Sequence, residues 1–488
     1  MSRPSAHSHS AFTAMLRNIA VWGVVLAATA GSAAAQGDDA RWRANAHDSL
    51  ARAVLGELVG INTAPSGGQM ARATRAMARR LLTAGYPARD VELAGPDPKH
   101  LNLVARLRGR DQGAKPIVLM AHIDVVEALR SDWSMEPYTL IEKDGYYYGR
   151  GVTDNKGGAA ILVANMIRWK RERFVPARDV VVVLTTDEET SGEDGIRWLL
   201  THRPALATAE YALNTDAGAL LEREGKTTAF YVQSSEKMYQ SFTLEVTNRG
   251  GHSSVPRQDN AIYSLAAGLA RLEKYRFPVM LNEVTRTSFA RAAELESGPM
   301  ADAMRAVGRG DTNATAVALL SGEPQYNGNL RTTCVATMLS GGHAENALPQ
   351  RATATVNCRI FPGVAATEVR EALQRVVGDS SIHISPVLES TPSPSSPLRP
   401  DVFGVMERLA KDIWPGAATI PIMENGATDG LYLRNLGVPV YGVSGPLFDA
   451  ADDRAHGRDE RLRVRHFAQV RELWYRMVRE LAGGAPVS

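Results

Sequence analysis

Pro116-Ile117-Val118-Leu119-Met120-Ala121 runs straight into His122 and Asp124, and two further apolar runs end the same way. Val180 to Leu184 stops at Asp187-Glu188-Glu189, and Ala209 to Leu213 stops at Asp216. Short apolar runs of this kind suit buried strands of a parallel sheet. In open α/β sheets, ligands bind at the carboxyl ends of such strands. Imidazole and carboxylate groups gathered there lose hydration and repel one another unless a cation joins them. From the residues alone, the expectation is an α/β protein with a metal-dependent hydrolytic site at one sheet edge.

The rest of the composition narrows the class. A chain of 488 residues with 44% hydrophobic and 22% charged content is globular material, long enough for two domains or one domain with a large insertion. The net charge of +2 carries no basic block, which argues against nucleic acid and anionic membrane surfaces as partners. The first 35 residues look like a secretory leader: Arg3 and Arg17 give a positive start, Ile19 to Ala28 a short apolar core, and Ala33-Ala34-Ala35 before Gln36 a small-residue cleavage site. Ile19 to Ala28 is too short an apolar span for comfortable membrane crossing, so no stable insertion is expected, although an uncleaved anchor is the alternative. Either way the working protein is expected outside the cytoplasm, in a periplasm or secreted. In such a compartment Cys334 and Cys358 can pair; they lie on two strand-like segments equidistant from a turn near Asn346, and two separate buried thiols are the competing reading.

Alternating helix and strand signals from Arg41 to Asp216 imply a parallel sheet covered by helices, with a helix over Ala71 to Ala84, a strand over Asn102 to Leu107 and a helix over Gly157 to Arg171. From about Lys237 the strands alternate apolar with polar residues, as in Ser241 to Val246, which suits a sheet with one wet face. A helix over Asn260 to Lys274, the two cysteine strands and a helix over Thr367 to Val377 give a β-α-β-β-α-β order. The Pro/Ser-rich stretch Ser390 to Pro397 marks the exit, after which α/β signals resume with a helix near Val402 to Ile413 and a strand at Val438 to Val443. Residues 36–236 and 391–488 therefore read as two parts of one catalytic domain, with 237–390 inserted between them. The segment Glu283 to Asn313 has no derivable conformation.

Asp154 sits in the glycine-rich turn Gly149-Arg150-Gly151-Val152-Thr153-Asp154-Asn155-Lys156-Gly157-Gly158, whose spacing fits neither a P-loop nor a dinucleotide fingerprint. An acidic residue there suits a carboxylate bridging two metals, with glycines admitting close backbone approach. His122 is placed as a ligand and Asp124 as the carboxylate that orients it. Glu188 and Glu189 point to opposite sides of extended backbone, so one can ligate metal while the other stays free as a general base.

These motifs, with Gly251-His252-Ser253-Ser254 and a late His456, occur in the order of the M20 metallopeptidase family, which the chain resembles in its aminoacylase and carboxypeptidase branches. The resemblance implies a zinc-peptidase-like catalytic domain with a mostly parallel central sheet and an inserted α+β, ferredoxin-like dimerisation or lid domain. It implies two divalent metals, most simply Zn2+: His122 and Asp216 on one, Glu189 and His456 on the other, Asp154 bridging, and a cis bond at Asp154-Asn155. Glu188 becomes the general base. His456 lies in a loop with little pattern of its own, and His343 and His252 are its competitors. His252 matches a histidine that family dimers donate across their interface to the oxyanion, and Arg359 an arginine that grips a substrate carboxylate. Asn346 and Gly426 match substrate-site segments. The implied enzyme is a homodimeric carboxypeptidase or N-acyl-amino-acid hydrolase acting on short peptides or N-acyl amino acids. A dipeptidase or aminopeptidase with the same metals and, more remotely, a non-catalytic peptide-binding protein are the alternatives.

Overall fold

A computed structural model describes residues 46–443 and 454–484. The expected leader and its cleavage site lie outside them. Two sheets with separate apolar cores organise the chain. The larger, nine-stranded among the described residues, runs in the order Val91–Ala94, Asn102–Leu107, Val180–Thr185, Ile117–His122, Tyr211–Asn214, Val440–Gly442, Lys226–Glu236 and Ala418–Glu424, with Ala219–Arg223 also paired to Lys226–Glu236. Its middle four strands are mutually parallel. Antiparallel pairs flank them on both sides, so the sheet is mixed towards its edges.

The middle strands are buried at every position and almost wholly apolar before their last residue because both faces are covered. Ile117, Leu119 and Ala121 pack with Val180, Val182 and Leu184 against the helices Ala46–Val59, Met70–Thr83, Lys156–Arg171, Pro400–Ile413 and Val464–Leu481. Val118, Met120, Val181 and Val183 point the other way, towards Ile196, Leu199 and Leu433. This period-two division between two cores is what turns a continuous apolar run into a strand rather than a helix.

The smaller sheet has the order Thr333–Gly341, Arg351–Ile360, Met238–Thr247 and Ile382–Pro386, antiparallel throughout. The helices Ala261–Lys274 and Ala366–Val377 cover one face through Leu265, Leu272, Leu373 and Val377. Order and connectivity are those of the ferredoxin-like unit. Cys334 and Cys358 stand directly opposite across its outer pair and form a disulfide.

Residues 283–330 fold into four short helices, Glu283–Ala292, Gly298–Gly308, Ala314–Ser321 and Pro324–Leu330. They return to the larger sheet. Val284 packs on Met423 and Phe361, and Arg291 donates to the Thr419 carbonyl at 2.7 Å. The edge strand Ala418–Glu424 is thereby covered, which removes an exposed row of backbone donors and acceptors.

Candidate metal centre and active site

Three parallel strands deliver their side chains to one edge. His122 ends the Ile117–His122 strand, Glu188 and Glu189 follow Val180–Thr185, and Asp216 follows Tyr211–Asn214. His122 Nε2 lies 2.9 Å from Asp154 Oδ1 and 3.2 Å from Asp216 Oδ1. His456 Nε2 lies 3.0 Å from Asp154 Oδ2 and 3.0 Å from Glu189 Oε2. Two groups of three donors result, His122-Asp154-Asp216 and Asp154-Glu189-His456, each with ligand atoms within 4.8 Å of one another. Asp154 belongs to both. Neither His343 nor His252 takes the place of His456.

Asp124 ties the two groups together from behind. Its backbone carbonyl lies 3.2 Å from His122 Nδ1, and its carboxylate accepts from the Glu189 backbone N–H at 2.9 Å. The glycine-rich turn holds Asp154 from the other side. Gly151 has φ of +88°, and a Cβ on Gly158 would come within 2.2 Å of Thr215 Oγ1, so the turn and the helix behind it seat only with glycine at these positions. The Asp154-Asn155 peptide bond is cis. Lys156, fully buried, donates to the Ile61 carbonyl at 2.8 Å, and burial brings its pKa down to about 7.

Charge is unbalanced here in a way that fits cations. Burial raises Asp216 to about 6 and Asp429 to about 7. Glu188 is pushed well above the carboxylate range by burial and then by Asp216. Burial opposes charge on His122, yet Asp216, Asp124 and Asp154 hold its pKa well above the usual value, and hydrogen bonds to Asp154 and Glu189 raise His456 to about 10. A cluster of crowded carboxylates that draws positive charge onto two imidazoles matches the nitrogen and oxygen donor set of a divalent metal pair.

Some supporting residues have no signal in the sequence. Glu460, fully buried, accepts from Gly151 N, Thr153 N and Thr153 Oγ1 at 2.6–2.8 Å and pairs with Arg150 at 2.8 Å. It clamps the Asp154 turn to the segment carrying His456, and only the tertiary approach of residues some 300 positions apart reveals it. Asp429 accepts from Thr185 Oγ1 at 2.7 Å. It belongs to the Asn425–Asp429 segment that contains Gly426, an exposed glycine with open space beside it. Arg359 sits opposite Tyr239 with its guanidinium 4.7 Å over the ring. His252 and Asn346 lie together, the Asn346 carbonyl accepting from Ser253 N at 3.0 Å, on a small ribbon of the inserted unit. Neither joins the carboxylate cluster of its own chain.

The family model for Peptidase family M20/M25/M40 matches residues 118–480. The chain belongs to that family. As an M20 metallohydrolase it is 29% identical to N-fatty-acyl-amino acid synthase/hydrolase PM20D1 of Xenopus tropicalis, over 73% of this chain and 70% of that one. The M20 fold is also that of a metallo-carboxypeptidase from Sulfolobus solfataricus, with TM-score 0.65, 16% identity, and 87% and 98% of the two chains covered. A dinuclear metal-binding M20 peptidase of Bacillus subtilis superposes with TM-score 0.54 at 12% identity, covering 89% of this chain and 100% of that one.

Proposed function

We propose that this M20 hydrolase cleaves an amide bond adjacent to a free carboxylate, as an N-acyl-amino-acid hydrolase or carboxypeptidase, and that it does so with two zinc ions outside the cytoplasm. The observation that carries the reading is the pair of His and carboxylate triads sharing Asp154, with Glu188 beside them and bound to neither. The similarity to a fatty-acyl-amino acid hydrolase and to a carboxypeptidase fold supports the same bond class. When bound, a divalent pair supplies Lewis acidity, polarising the scissile carbonyl and acidifying water.

The chain's own groups do the rest. His122, Asp154 and Asp216 hold one ion, and Asp154, Glu189 and His456 the other, with Asp124 fixing the His122 ring. Glu188, whose carboxylate is made more basic by burial and by Asp216, starts ionised, takes a proton from the attacking water and returns it to the leaving amine. Arg359, stiffened against Tyr239, forks the substrate carboxylate. Asn346 and Gly426 contact the substrate, and His252 of a second copy donates to the oxyanion. The leader ending at Ala35 directs export, so mature protein recovered from a periplasmic extract should begin at Gln36.

The test is hydrolysis of N-acetyl amino acids, dipeptides with free carboxylates and the same dipeptides amidated, by metal-reconstituted protein, with Arg359→Met alongside. Chelator-sensitive cleavage that needs the free carboxylate and weakens in Arg359→Met is expected. Equal cleavage of amidated dipeptides would move recognition to the amine end, as in a dipeptidase or aminopeptidase, and overturn the proposal.

A further inference from the structure

The four helices of residues 283–330 do more than cover a sheet edge. Between them and the strands Ala219–Arg223, Lys226–Glu236 and Ala418–Glu424 lies a cavity of about 430 Å³, within the range of sites for whole small molecules. No residue of the carboxylate cluster and none of the groups proposed to touch substrate lines it, so it stands apart from the active site. Leu221, Tyr231, Leu295, Met300 and Tyr326 form its walls, and an occupant must therefore bring apolar surface.

Charge decides what else the occupant carries. One cation and three carboxylates line the cavity, Arg223 against Glu296, Glu323 and Glu424. Arg223 is already engaged, since it pairs with Glu296 at 2.6 Å and donates to the Leu295 carbonyl at 2.7 Å. An anionic guest would meet no spare positive charge and two remaining negative ones. Glu323 is exposed, where water screens it. Glu424 is set deeper. Burial, then Glu236 and Asp216, push its pKa up to about 7 against a hydrogen bond from Gly218 N, and no cation pairs with it among the described residues. Ala219, the neighbour of Gly218, stands directly opposite Tyr231 across the strand pair, which brings Tyr231 and Glu424 to the same end of the cavity. A tyrosine wall leading to a carboxylate without a counter-charge favours an ammonium group, which the ring face and the carboxylate both attract.

We propose that the cavity beneath residues 283–330 binds an organic ammonium ion with an aliphatic or aromatic body, its nitrogen against Glu424. The body lies among Leu221, Leu295 and Met300, and the head lies between Glu424 and Tyr231. This is a second ligand site, and it goes beyond the hydrolase reading.

The experiment uses three probes with one body and different heads: 4-phenylbutylamine, 4-phenyl-1-butanol and 4-phenylbutyrate. Binding to metal-reconstituted protein is measured by calorimetry at about pH 8.5, where the Glu424 carboxyl is ionised and the amine still charged. Wild type should bind the amine at least about tenfold more tightly than the alcohol, with the carboxylate weakest. Glu424→Gln should bring the amine down to the level of the alcohol. Ala292 lines the cavity from the Glu283–Ala292 helix, and Ala292→Phe should abolish binding of both by filling the space. Equal binding of amine and alcohol to wild type, tightest binding of the carboxylate, or no binding of any probe overturns the proposal. So does an amine preference that survives in Glu424→Gln, or amine binding that Ala292→Phe leaves intact, which would place the probe elsewhere. If Glu424→Gln fails to fold, the head-group series on wild type and the Ala292→Phe result still decide. Binding is read without turnover, so failure here leaves the hydrolase reading standing.

Discussion

Glu188 and Glu189 are neighbours with different surroundings, and the difference fits the base and ligand roles proposed for them. Glu189 meets His456 and takes its backbone hydrogen bond into Asp124, whereas Glu188 is held near Asp216 with its proton favoured by burial. Glu188→Gln should lower turnover by roughly 10²- to 10⁴-fold while both metals stay bound, checked by steady-state kinetics beside elemental analysis. Lys237 offers a test remote from the metals. It is fully buried at the junction of the two units, its nearest acceptor Thr333 Oγ1 at 3.4 Å, and burial, then Arg359 and Arg331, bring its pKa from 10.5 to about 7. The folded chain thus binds fewer protons than the unfolded one between about pH 7 and 10.5, so the destabilisation is complete below pH 7 and fades as pH rises. Lys237→Met should stabilise the protein on the order of 3 kcal/mol at pH 6 and hardly at pH 10, read from urea midpoints. The candidate ligands His122, Asp154, Glu189 and Asp216 were legible in sequence because each follows an apolar run or sits in a glycine turn, whereas His456 was reached only through the family resemblance. Lys237 was not, since only the fold reveals a buried ammonium with Thr333 Oγ1 as its hydrogen-bond acceptor among the described residues.

At the level of elements, the Asp154 turn depends on a residue from the far end of the chain. Glu460 gathers its backbone donors and the Arg150 guanidinium in a fully buried site. Glu460→Gln leaves Arg150 without its counter-charge and should weaken metal binding by roughly 10- to 100-fold, measured by competition with a chelating dye. The strands and main helices were readable from periodicity to within a few residues, the helix expected over Ala71 to Ala84 running Met70–Thr83. Residues 283–330 were not, because four helices of 7 to 11 residues each bury a face against a neighbour that sequence does not specify. The Pro/Ser stretch read as a connector is also more than a tether. Ser393 donates to Glu236 at 2.8 Å, and Ser396 donates to the Val440 carbonyl at 2.8 Å, beside a buried Glu236–Arg434 ion pair.

For the whole molecule, the order of apolar and alternating strands made two sheets legible, but not what covers them. The Thr333–Gly341 strand is the outer strand of the smaller sheet, and it exposes Val335, Met338 and Leu339 at 61%, 69% and 71%. An unpaired edge with exposed apolar side chains suits a second copy of the chain, which is how His252 would reach a partner's site. Val335→Glu with Leu339→Glu should give a monomer in sedimentation and lower kcat by at least about tenfold without loss of metal. A variant that stays dimeric, or a fully active monomer, would argue against that assembly. The most direct test of the dinuclear centre is turnover of N-acetyl-phenylalanine by chelator-stripped protein as zinc is titrated back. Recovery that completes at two equivalents per chain is expected; full turnover in stripped protein, or recovery complete at one equivalent, would contradict it.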